Sequence, residues 1–429
     1  MDQPRFLRHY LLRRNKRRVT GGSSMNLSRR RLLGGAAALT AVPVVRARAQ
    51  SKPTISVGVL TDLSGTYRDN TGPTSVACTQ QAIDEIGTSH GFEVAFRSAD
   101  HQNKPDVAAS IARQWFDEGV DAIIDVPTSS VALAVSQVAK EKDKIMLNAS
   151  AAAMEITFTQ CSPNTIVWSF DTYEKAHSTG GALVKQGKRI WTFVTADYVF
   201  GHSLEEQTAA VVKSMGGEVK GAARYPFPET TDFSAFLQQA LASDAQVLGL
   251  ANAGLDTVNC VKQAHEFGLN QKMTIAPLIM FLQDAHSIGL ETAQGLITSE
   301  TFYWNMNDRT RAFTKRVLAR TPRNYPSQAH ASAYGITLHY LKTVAAMGAH
   351  NARKSGRATV ERMKAISTSD DAFGKGRIRA DGRGEFPSYL LQVKTPAESK
   401  SEWDIYKVLA STPPSEVLHP LADKCKFPV

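Results

Sequence analysis

The chain has 429 residues, 42% of them hydrophobic and 21% charged, with a formal net charge of +10 at pH 7. Its first 50 residues carry twelve Lys or Arg and one Asp, a net charge of +11, so the other residues together carry −1. Since the basic excess is confined to one end, the body lacks the positive surface of a nucleic-acid-binding protein, and no nucleic-acid partner is expected.

An uncharged apolar stretch over residues 32–45 follows Arg29, Arg30 and Arg31 and runs into Ala47-Arg48-Ala49. A membrane-spanning helix needs about twenty apolar residues, so this stretch is too short. A basic run, a short apolar core and a small-x-small site predict a cleavable signal peptide over residues 1–49, and the paired arginines indicate the twin-arginine type. We therefore expect a periplasmic protein cleaved near Ala49. An uncleaved signal anchor is the alternative, and the start at Met1 or Met25 stays open.

About 380 residues remain, more than one core of ordinary size holds, so two lobes are expected. The four cysteines are few for an exported chain. Cys78 and Cys260 lie in helical patterns, where buried free thiols are common. Cys161 and Cys425 lie in Pro-containing loops, and among the three possible pairings we favour a disulfide between these two. No Cys or His cluster has metal-ligand spacing, so neither a metal nor a cofactor is expected.

Short β-branched segments alternate with helical patterns in the first half of the body. Strands are predicted at residues 55–60, 93–96, 122–126 and 144–147, and helices at residues 73–86, from 105 and at 129–142. Strands separated by helices of this length predict a parallel sheet covered on both faces.

The same order recurs in the second half, although the residues themselves do not match. Strands are predicted at residues 190–195, 218–222, 247–250 and 274–280, and helices from 201, from 232 and at 254–267. A strand at 295–301, helices at 308–320, 328–347 and 359–366, and strands at 389–393 and 405–409 follow. We predict an α/β protein with two Rossmann-like lobes.

The loops that follow the predicted strands are the candidate binding site. In open parallel sheets, ligands lie beyond the carboxyl ends of the strands, where helix N-termini offer free N–H groups. The candidates in these loops are Ser64, Tyr67, Pro127, Thr128, Ser129, Asn148, Ala149, Ser150, Tyr198, Phe200 and Asn252. Thr128 and Ser129 open a helix and could hold a carboxylate, or could only cap that helix.

Four segments of the chain resemble a known family: SVGVLTDLSGTY, SADHQNKPD, IDVPTSS and TADYVFGHSLE. Together they are similar to ABC-transporter substrate-binding proteins of the branched-chain (hydrophobic) amino-acid type, the type I periplasmic binding proteins. The resemblance implies two lobes joined by three hinge crossovers, a small-molecule ligand in the cleft between them, and a membrane permease as partner. It implies lobes formed by residues 51–171 with 303–376 and by residues 172–302 with 377–429.

The resemblance also implies that Thr128, Ser129 and Ser150 grip a ligand carboxylate and that an acid in the second lobe pairs with an ammonium. The segment expected to carry that acid, residues 278–281, has no carboxylate, and Ala253 stands where an aromatic residue is usual. Burying an ammonium without a partner is unfavourable by several kcal/mol. An uncharged or acidic ligand is therefore expected beside Phe281, with Tyr173 and Trp304 contributing from two crossovers. Asp256 is the alternative ammonium partner.

Two other functions have to be weighed. An enzyme is disfavoured because no GxSxG, HExxH or P-loop pattern occurs, and Asp100-His101, the best acid/base pair, has no nucleophile beside it. A ligand sensor that signals to a membrane kinase or regulator would share the same fold and the same closure. The sequence does not separate it from a transporter component.

Overall fold

A computed structural model describes residues 52–427, so the predicted signal peptide over residues 1–49 lies outside the described residues. The fold is built on two parallel sheets, each flanked by helices. Most of their strands are rich in Val, Ile and Leu and are buried along most of their length, as expected for parallel strands covered on both faces. The edge strands Glu93–Asp100 and Glu218–Tyr225 are the exceptions, since they are more polar and largely accessible to solvent.

The first sheet has five parallel strands in the order β2-β1-β3-β4-β5. Its strands are β1 Thr54–Thr61, β2 Glu93–Asp100, β3 Ala122–Asp125, β4 Ile145–Asn148 and β5 Thr165–Val167. The connecting helices are α1 Gly72–Ile86, α2 Pro105–Asp117 and α3 Ser129–Glu141. The sequence patterns predicted all of these elements except β5, which is only three residues long.

The second sheet has four parallel strands in the order β7-β6-β8-β9. Its strands are β6 Ile190–Ala196, β7 Glu218–Tyr225, β8 Val247–Ala251 and β9 Thr274–Pro277. Its helices are α4 Thr172–Lys175, α5 Gly181–Lys185, α6 Val199–Ser214, α7 Ser234–Leu241, α8 Leu255–Glu266, α9 Leu282–Ile288 and α10 Leu290–Ala293. The prediction that β9 runs to residue 280 is wrong, because the chain leaves the sheet at Pro277, which has no N–H to extend the ladder.

Antiparallel strands and further helices complete the described chain. They are β10 Ile297–Glu300, α11 Asp308–Leu318, α12 Gln328–Met347, α13 Ala349–Ala352, α14 Gly356–Ala365, β11 Thr368–Asp370, β12 Gly374–Ile378, β13 Gly384–Glu385, β14 Ser388–Val393, β15 Tyr406–Thr412 and α15 Pro414–Val417. Two small sheets form, ordered β10-β14-β15 and β11-β12-β13. Helix α12 packs along α1, which places it on the first sheet.

The hydrophobic cores show on which sheet each later segment packs. Phe313, Ile378 and Phe386 belong to the core of the first sheet, whereas Leu391 and Tyr406 belong to the core of the second. Up to β15, the chain therefore passes between the two lobes three times: after β5, after β10 and before β14. The lobe boundaries at 171/172, 302/303 and 376/377 stay predictions, and from Phe386 we propose that the third crossover lies near residue 387.

The C-terminal tail returns to the first lobe. The sulfurs of Cys161 and Cys425 form a disulfide with a Cα–Cα distance of 5.9 Å. Beside it, Nε2 of His419 lies 3.0 Å from the hydroxyl of Thr157. Because β15 precedes this tail and packs with the second lobe, the tail spans from one lobe to the other. Cys78 and Cys260 are buried free thiols.

Candidate ligand-binding site between the two sheets

A cavity lies where the carboxyl ends of the two parallel sheets face one another. The cavity is narrow and partly open to solvent in this arrangement of the two sheets. Its walls are formed by Tyr67, Asn70, Thr71, Pro127, Ser150, Ala152, Phe170, Tyr198, Phe200, Ala253, Ile279 and Phe281. Five of these side chains are aromatic and none is charged, so the cavity favours a flat apolar body over a compact ion.

Six of the residues predicted from the sequence line this cavity. They are Tyr67, Pro127, Ser150, Tyr198, Phe200 and Phe281. The first three follow strands of the first sheet, and Tyr198 and Phe200 follow β6 of the second. These residues lie close together because all of them come from loops at the carboxyl ends of parallel strands, where ligands bind in open α/β sheets.

Thr128 and Ser129 lie behind the wall rather than in it. The hydroxyl of Thr128 donates to Oδ1 of Asn103, and the hydroxyl of Ser129 accepts from the backbone N–H of Ala153 at 3.1 Å. Both side chains are buried. Their hydroxyls therefore fix neighbouring loops, and neither caps α3. The carboxylate grip by these side chains stays a prediction.

Asn148 and Ala149 support the loop that presents Ser150. Oδ1 of Asn148 accepts from the backbone N–H groups of Ser150 and Ala151 at 3.1 and 2.8 Å, and Nδ2 donates to the Ala151 carbonyl at 2.7 Å. Ala149 packs in the core of the first sheet. These contacts fix the direction of Ser150 without reaching the cavity themselves.

Four other predicted residues lie away from the cavity wall. Ser64 is exposed and donates to Asp100 at 2.6 Å. The ring of Tyr173 stacks on His177 at 3.8 Å, and the side chain of Asn252 bonds within the second lobe to Thr257 and Cys260. Nε1 of Trp304 donates to the Trp403 carbonyl at 2.8 Å. Each is occupied by packing or by local hydrogen bonds.

Six cavity residues were not predicted from the sequence: Asn70, Thr71, Ala152, Phe170, Ala253 and Ile279. Ala253 follows the predicted strand at 247–250, and Ile279 falls inside the predicted strand at 274–280, but small and aliphatic side chains give no signal of binding. Asn70 and Thr71 form the last turn before α1, far enough from the end of β1 that only the folded loop shows where they point.

Direct contacts join the two walls of the cleft. The hydroxyl oxygens of Tyr67 and Tyr198 lie 2.6 Å apart, and the backbone N–H of Leu255 donates to the Thr66 carbonyl at 3.1 Å. Nδ2 of Asn70 donates to Asp284 at 2.8 Å. These bonds hold the cleft in a closed arrangement around the cavity.

Gly254 is required at the point where the walls come closest. Its φ is +66°, and a Cβ built there would lie 2.5 Å from the carbonyl oxygen of Thr66. A side chain at this position would meet backbone of the opposite lobe, and backbone cannot move aside as a flexible side chain can. The absence of a Cβ therefore permits the closed cleft.

Two buried acids stand just outside the wall of the second lobe. Burial raises the pKa of Asp256 to about 7, and its carboxylate accepts from the Tyr225 hydroxyl at 2.7 Å. Burial likewise raises the pKa of Asp284 to about 7, against the lowering effect of the hydrogen bond from Asn70. Neither carboxylate lines the cavity, so neither is placed to pair with a ligand ammonium there.

Asp100 and His101, the best candidates for acid/base chemistry, serve the loop they belong to. Oδ1 of Asp100 accepts from the Gln102 N–H at 2.7 Å, and Nδ1 of His101 accepts from the Asn103 N–H at 3.0 Å. Burial lowers the pKa of His101 to about 4, so the ring is neutral at physiological pH. Within residues 52–427, no helix is long and apolar enough to span a membrane, and no group of three metal-ligand side chains occurs.

Comparison with known proteins places this cleft in a family. The chain matches the Periplasmic binding protein family over residues 54–400 and belongs to it. A periplasmic binding protein of Burkholderia mallei is 42% identical with a TM-score of 0.82, and the match covers 86% of this chain and 97% of that one. A branched chain amino acid ABC transporter periplasmic ligand-binding protein of Burkholderia xenovorans is 38% identical, with a TM-score of 0.74 and coverage of 85% and 97%.

A third solved structure shares the fold at lower identity. It is a solute binding protein of an ABC transporter from Rhodopseudomonas palustris in complex with benzoate, 21% identical with a TM-score of 0.74 and coverage of 84% and 97%. The chain thus has the type I periplasmic binding protein fold and is a solute-binding protein of the kind that serves ABC transporters. The members of this family are substrate-binding proteins rather than enzymes.

Proposed function

We propose that this protein is exported to the periplasm, captures a small organic acid or amide with an apolar or aromatic body, and delivers it to the permease of an ABC importer. The single observation that carries the ligand class is the cavity wall, with five aromatic side chains and no charged one. The family supports the transport role and the permease as partner.

The cavity disfavours a free α-amino acid. An ammonium group in a dry cavity needs a carboxylate within contact distance, since burying it alone is unfavourable by several kcal/mol. Asp256 and Asp284, the two acids just outside the wall of the second lobe, are each hydrogen-bonded to a protein side chain. A carboxylate or amide head group needs only hydroxyl and N–H partners, which Ser150 and the N-terminus of α3 would supply.

The proposed place for that head group is the wall formed by Pro127 and Ser150. Pro127 lines the cavity directly before α3, so the free N–H groups at the helix N-terminus lie close to this wall. The aromatic body would then lie against Phe170, Phe200 and Phe281 on the other side. The benzoate bound by the R. palustris protein is a ligand of this chemistry.

Thermal-shift and calorimetric screening of the mature protein tests the proposal. The panel contains benzoate, benzamide, 3-methylbutanoate, leucine and phenylalanine. A ligand at a hundredfold excess over its Kd stabilises the folded state by about 2.7 kcal/mol. We expect a rise in Tm with benzoate or benzamide and little with leucine or phenylalanine. A rise with the amino acids alone would overturn the ligand class and make Asp256 the ammonium partner.

A cavity-filling variant shows whether binding uses this site. Ala253→Trp places a large ring in the cavity and is expected to abolish the ligand-induced rise in Tm. Its control is Ala397→Trp, at an exposed alanine outside the cleft, which should bind as the wild type does. Normal binding by Ala253→Trp would place the ligand elsewhere.

Export is tested by fractionation of cells that carry the whole chain. The wild-type protein is expected in the periplasm without residues 1–49, and replacement of Arg29 and Arg30 by Lys is expected to keep it in the cytoplasm. Periplasmic delivery of the Lys variant would remove the twin-arginine assignment. Loss of ligand uptake on deletion of the partner permease would support the transport role.

A further inference from the structure

Asp125 lies directly beneath Ser150, one of the polar residues of the cavity wall. Oδ1 of Asp125 accepts from the Ser150 hydroxyl at 2.5 Å, and Oδ2 accepts from the Thr61 hydroxyl at 2.7 Å. The carboxyl group of Asp125 is fully buried at the carboxyl end of β3. It does not itself line the cavity, so any effect on a ligand passes through Ser150.

The backbone at this position is strained. Asp125 has φ +83° and the following Val126 has φ +60°, values that non-glycine residues rarely adopt. Such conformations persist only where the surrounding structure determines them, and they concentrate at ligand sites. Here the conformation brings the carboxyl group under Ser150 and leads directly into Pro127, a second wall residue.

A hydroxyl group has one proton, and the direction of that proton decides whether Ser150 donates a hydrogen bond to a ligand or accepts one. When Asp125 is ionised, it can only accept, so the Ser150 proton points to Asp125 and the cavity meets lone pairs. When Asp125 is protonated, its O–H can donate to Ser150, and the Ser150 proton is free to turn to the cavity. The first state suits a ligand N–H, and the second suits a ligand carboxylate.

We propose that Asp125 is a positioning residue that sets the polarity of Ser150 toward the ligand, so that a carboxylate ligand binds together with one proton. The inference rests on the proposed function, since it requires a ligand in this cavity. No covalent step is involved: the proton moves onto Asp125 from solvent, and the Ser150 hydrogen bond reverses. An amide ligand binds whichever state Asp125 is in, because it presents both an N–H and a carbonyl.

The groups around Asp125 place the pKa of its carboxyl group close to physiological pH. Burial raises the pKa of Asp125 to about 6, against hydrogen bonds from Ser150 and Thr61 that lower it. Asp62 is the charged neighbour at the end of β1 and raises the pKa further. On α1, Cys78 faces the carboxylate with its own thiol pKa raised by burial, so it stays neutral. Across the cavity, Asp256 and Asp284 titrate near pH 7, so only a variant isolates Asp125.

The test compares benzoate with benzamide, two probes of the same shape, by calorimetry of the mature protein between about pH 5 and about pH 8. Benzoate stays ionised over this range, as carboxyl groups with an ordinary pKa do. In the wild type, benzoate affinity is expected to fall about a hundredfold across the range, and benzamide affinity is expected to change little. In Asp125→Asn the amide can donate to Ser150 at every pH, so the benzoate curve is expected to lose the part of its pH dependence that comes from Asp125 and to keep only the smaller part from Asp256 and Asp284.

Each outcome decides one question. Identical pH dependence of benzoate binding in the wild type and Asp125→Asn overturns the inference and leaves the proposed function standing. Binding of neither probe to the wild type overturns the proposed ligand class, and the inference fails with it. A purely structural role of Asp125 would change the affinity for both probes equally at every pH.

Ser150→Ala is the second variant and separates the hydroxyl from simple charge repulsion by Asp125. Without the hydroxyl, benzoate affinity at about pH 5 is expected to fall toward the wild-type value at about pH 8 and to vary with pH no more than it does in Asp125→Asn. Full pH dependence in Ser150→Ala would assign the effect to repulsion and overturn the role of Ser150. This variant removes one oxygen atom only, so it also serves if Asp125→Asn does not fold.

Discussion

The hydroxyl oxygens of Tyr67 and Tyr198 lie 2.6 Å apart across the cleft, although 131 residues separate them in the chain. Phe227 stacks on the Tyr198 ring at 4.4 Å and contacts the Tyr67 ring at 5.7 Å. One residue belongs to each lobe, so the pair forms only when the lobes approach. The bond therefore contributes to the closed state and not to the open one.

Removal of either hydroxyl is expected to weaken ligand binding through closure. A neutral hydrogen bond contributes about 0.5–1.5 kcal/mol, so Tyr67→Phe or Tyr198→Phe should raise Kd about 2- to 10-fold. Calorimetry on both single variants and the double variant measures the coupling. The double variant should bind about as weakly as the single ones. Strictly additive losses would show that the two hydroxyls act separately.

Gly254→Ala is expected to prevent full closure, because the new Cβ would lie 2.5 Å from the Thr66 carbonyl oxygen. Ligand affinity should fall more than about tenfold, and small-angle scattering should show no compaction on ligand addition. The matched control is Gly268→Ala, which has φ +71° and open space around the added Cβ. Both variants share the backbone strain, so equal binding by the two would refute the closure argument.

The contribution of Asp256 to the stability of the folded state is expected to fall as the pH rises toward neutrality. Burial raises its pKa to about 7 in the folded state, against about 3.9 in the unfolded chain. A raised pKa favours the folded state at low pH, and that contribution is lost as the pH rises through about 7. Asp256→Asn should therefore gain stability relative to the wild type by about 1.4 kcal/mol per pH unit between about pH 4 and about pH 7.

Urea denaturation of both proteins at several pH values measures this difference. The control is Asp232→Asn, because the backbone N–H of Ser234 lowers the pKa of this exposed carboxylate. Its effect on stability should have the opposite sign and be small. A constant difference between Asp256→Asn and the wild type over the whole range would contradict the raised pKa.

Replacement of Cys161 and Cys425 by Ser is expected to lower stability by about 3–5 kcal/mol, since the disulfide closes a loop between residues 264 apart in sequence. The Tm of the wild type in reductant should fall to that of the double variant. Thiol titration after unfolding without reductant should find only Cys78 and Cys260. Four reactive thiols in oxidised, unfolded protein would contradict the pairing.

The alternation of strands and helices was predictable because hydrophobic periodicity is a local property. The predicted strand at residues 190–195 and helix at 328–347 match β6 and α12 to within a residue. Short elements such as β5 carry too few residues for a period to show. Strand β9 ends early at Pro277, where the missing N–H outweighs the apolar residues that continue to Met280.

The site was predictable as a set of loops but not as a set of side chains. Tyr198 and Ser150 could be placed because strand ends in a parallel sheet converge. The sequence gives no sign that Thr128 lies behind the cavity wall, because its partner Asn103 is 25 residues away and only the fold brings the two side chains together. Phe170 and Ile279 pack in the core of the second sheet and also face the cavity, and an apolar side chain gives no sign of that second role in the sequence.

A crystal structure of the mature protein with the panel compound that raises its Tm most would test the central claim most directly. We predict ligand density between Ser150 and Phe281, with the two lobes closed and the Tyr67–Tyr198 bond formed. Ligand density outside this cavity, or an open cleft with ligand bound to one lobe alone, would contradict the account.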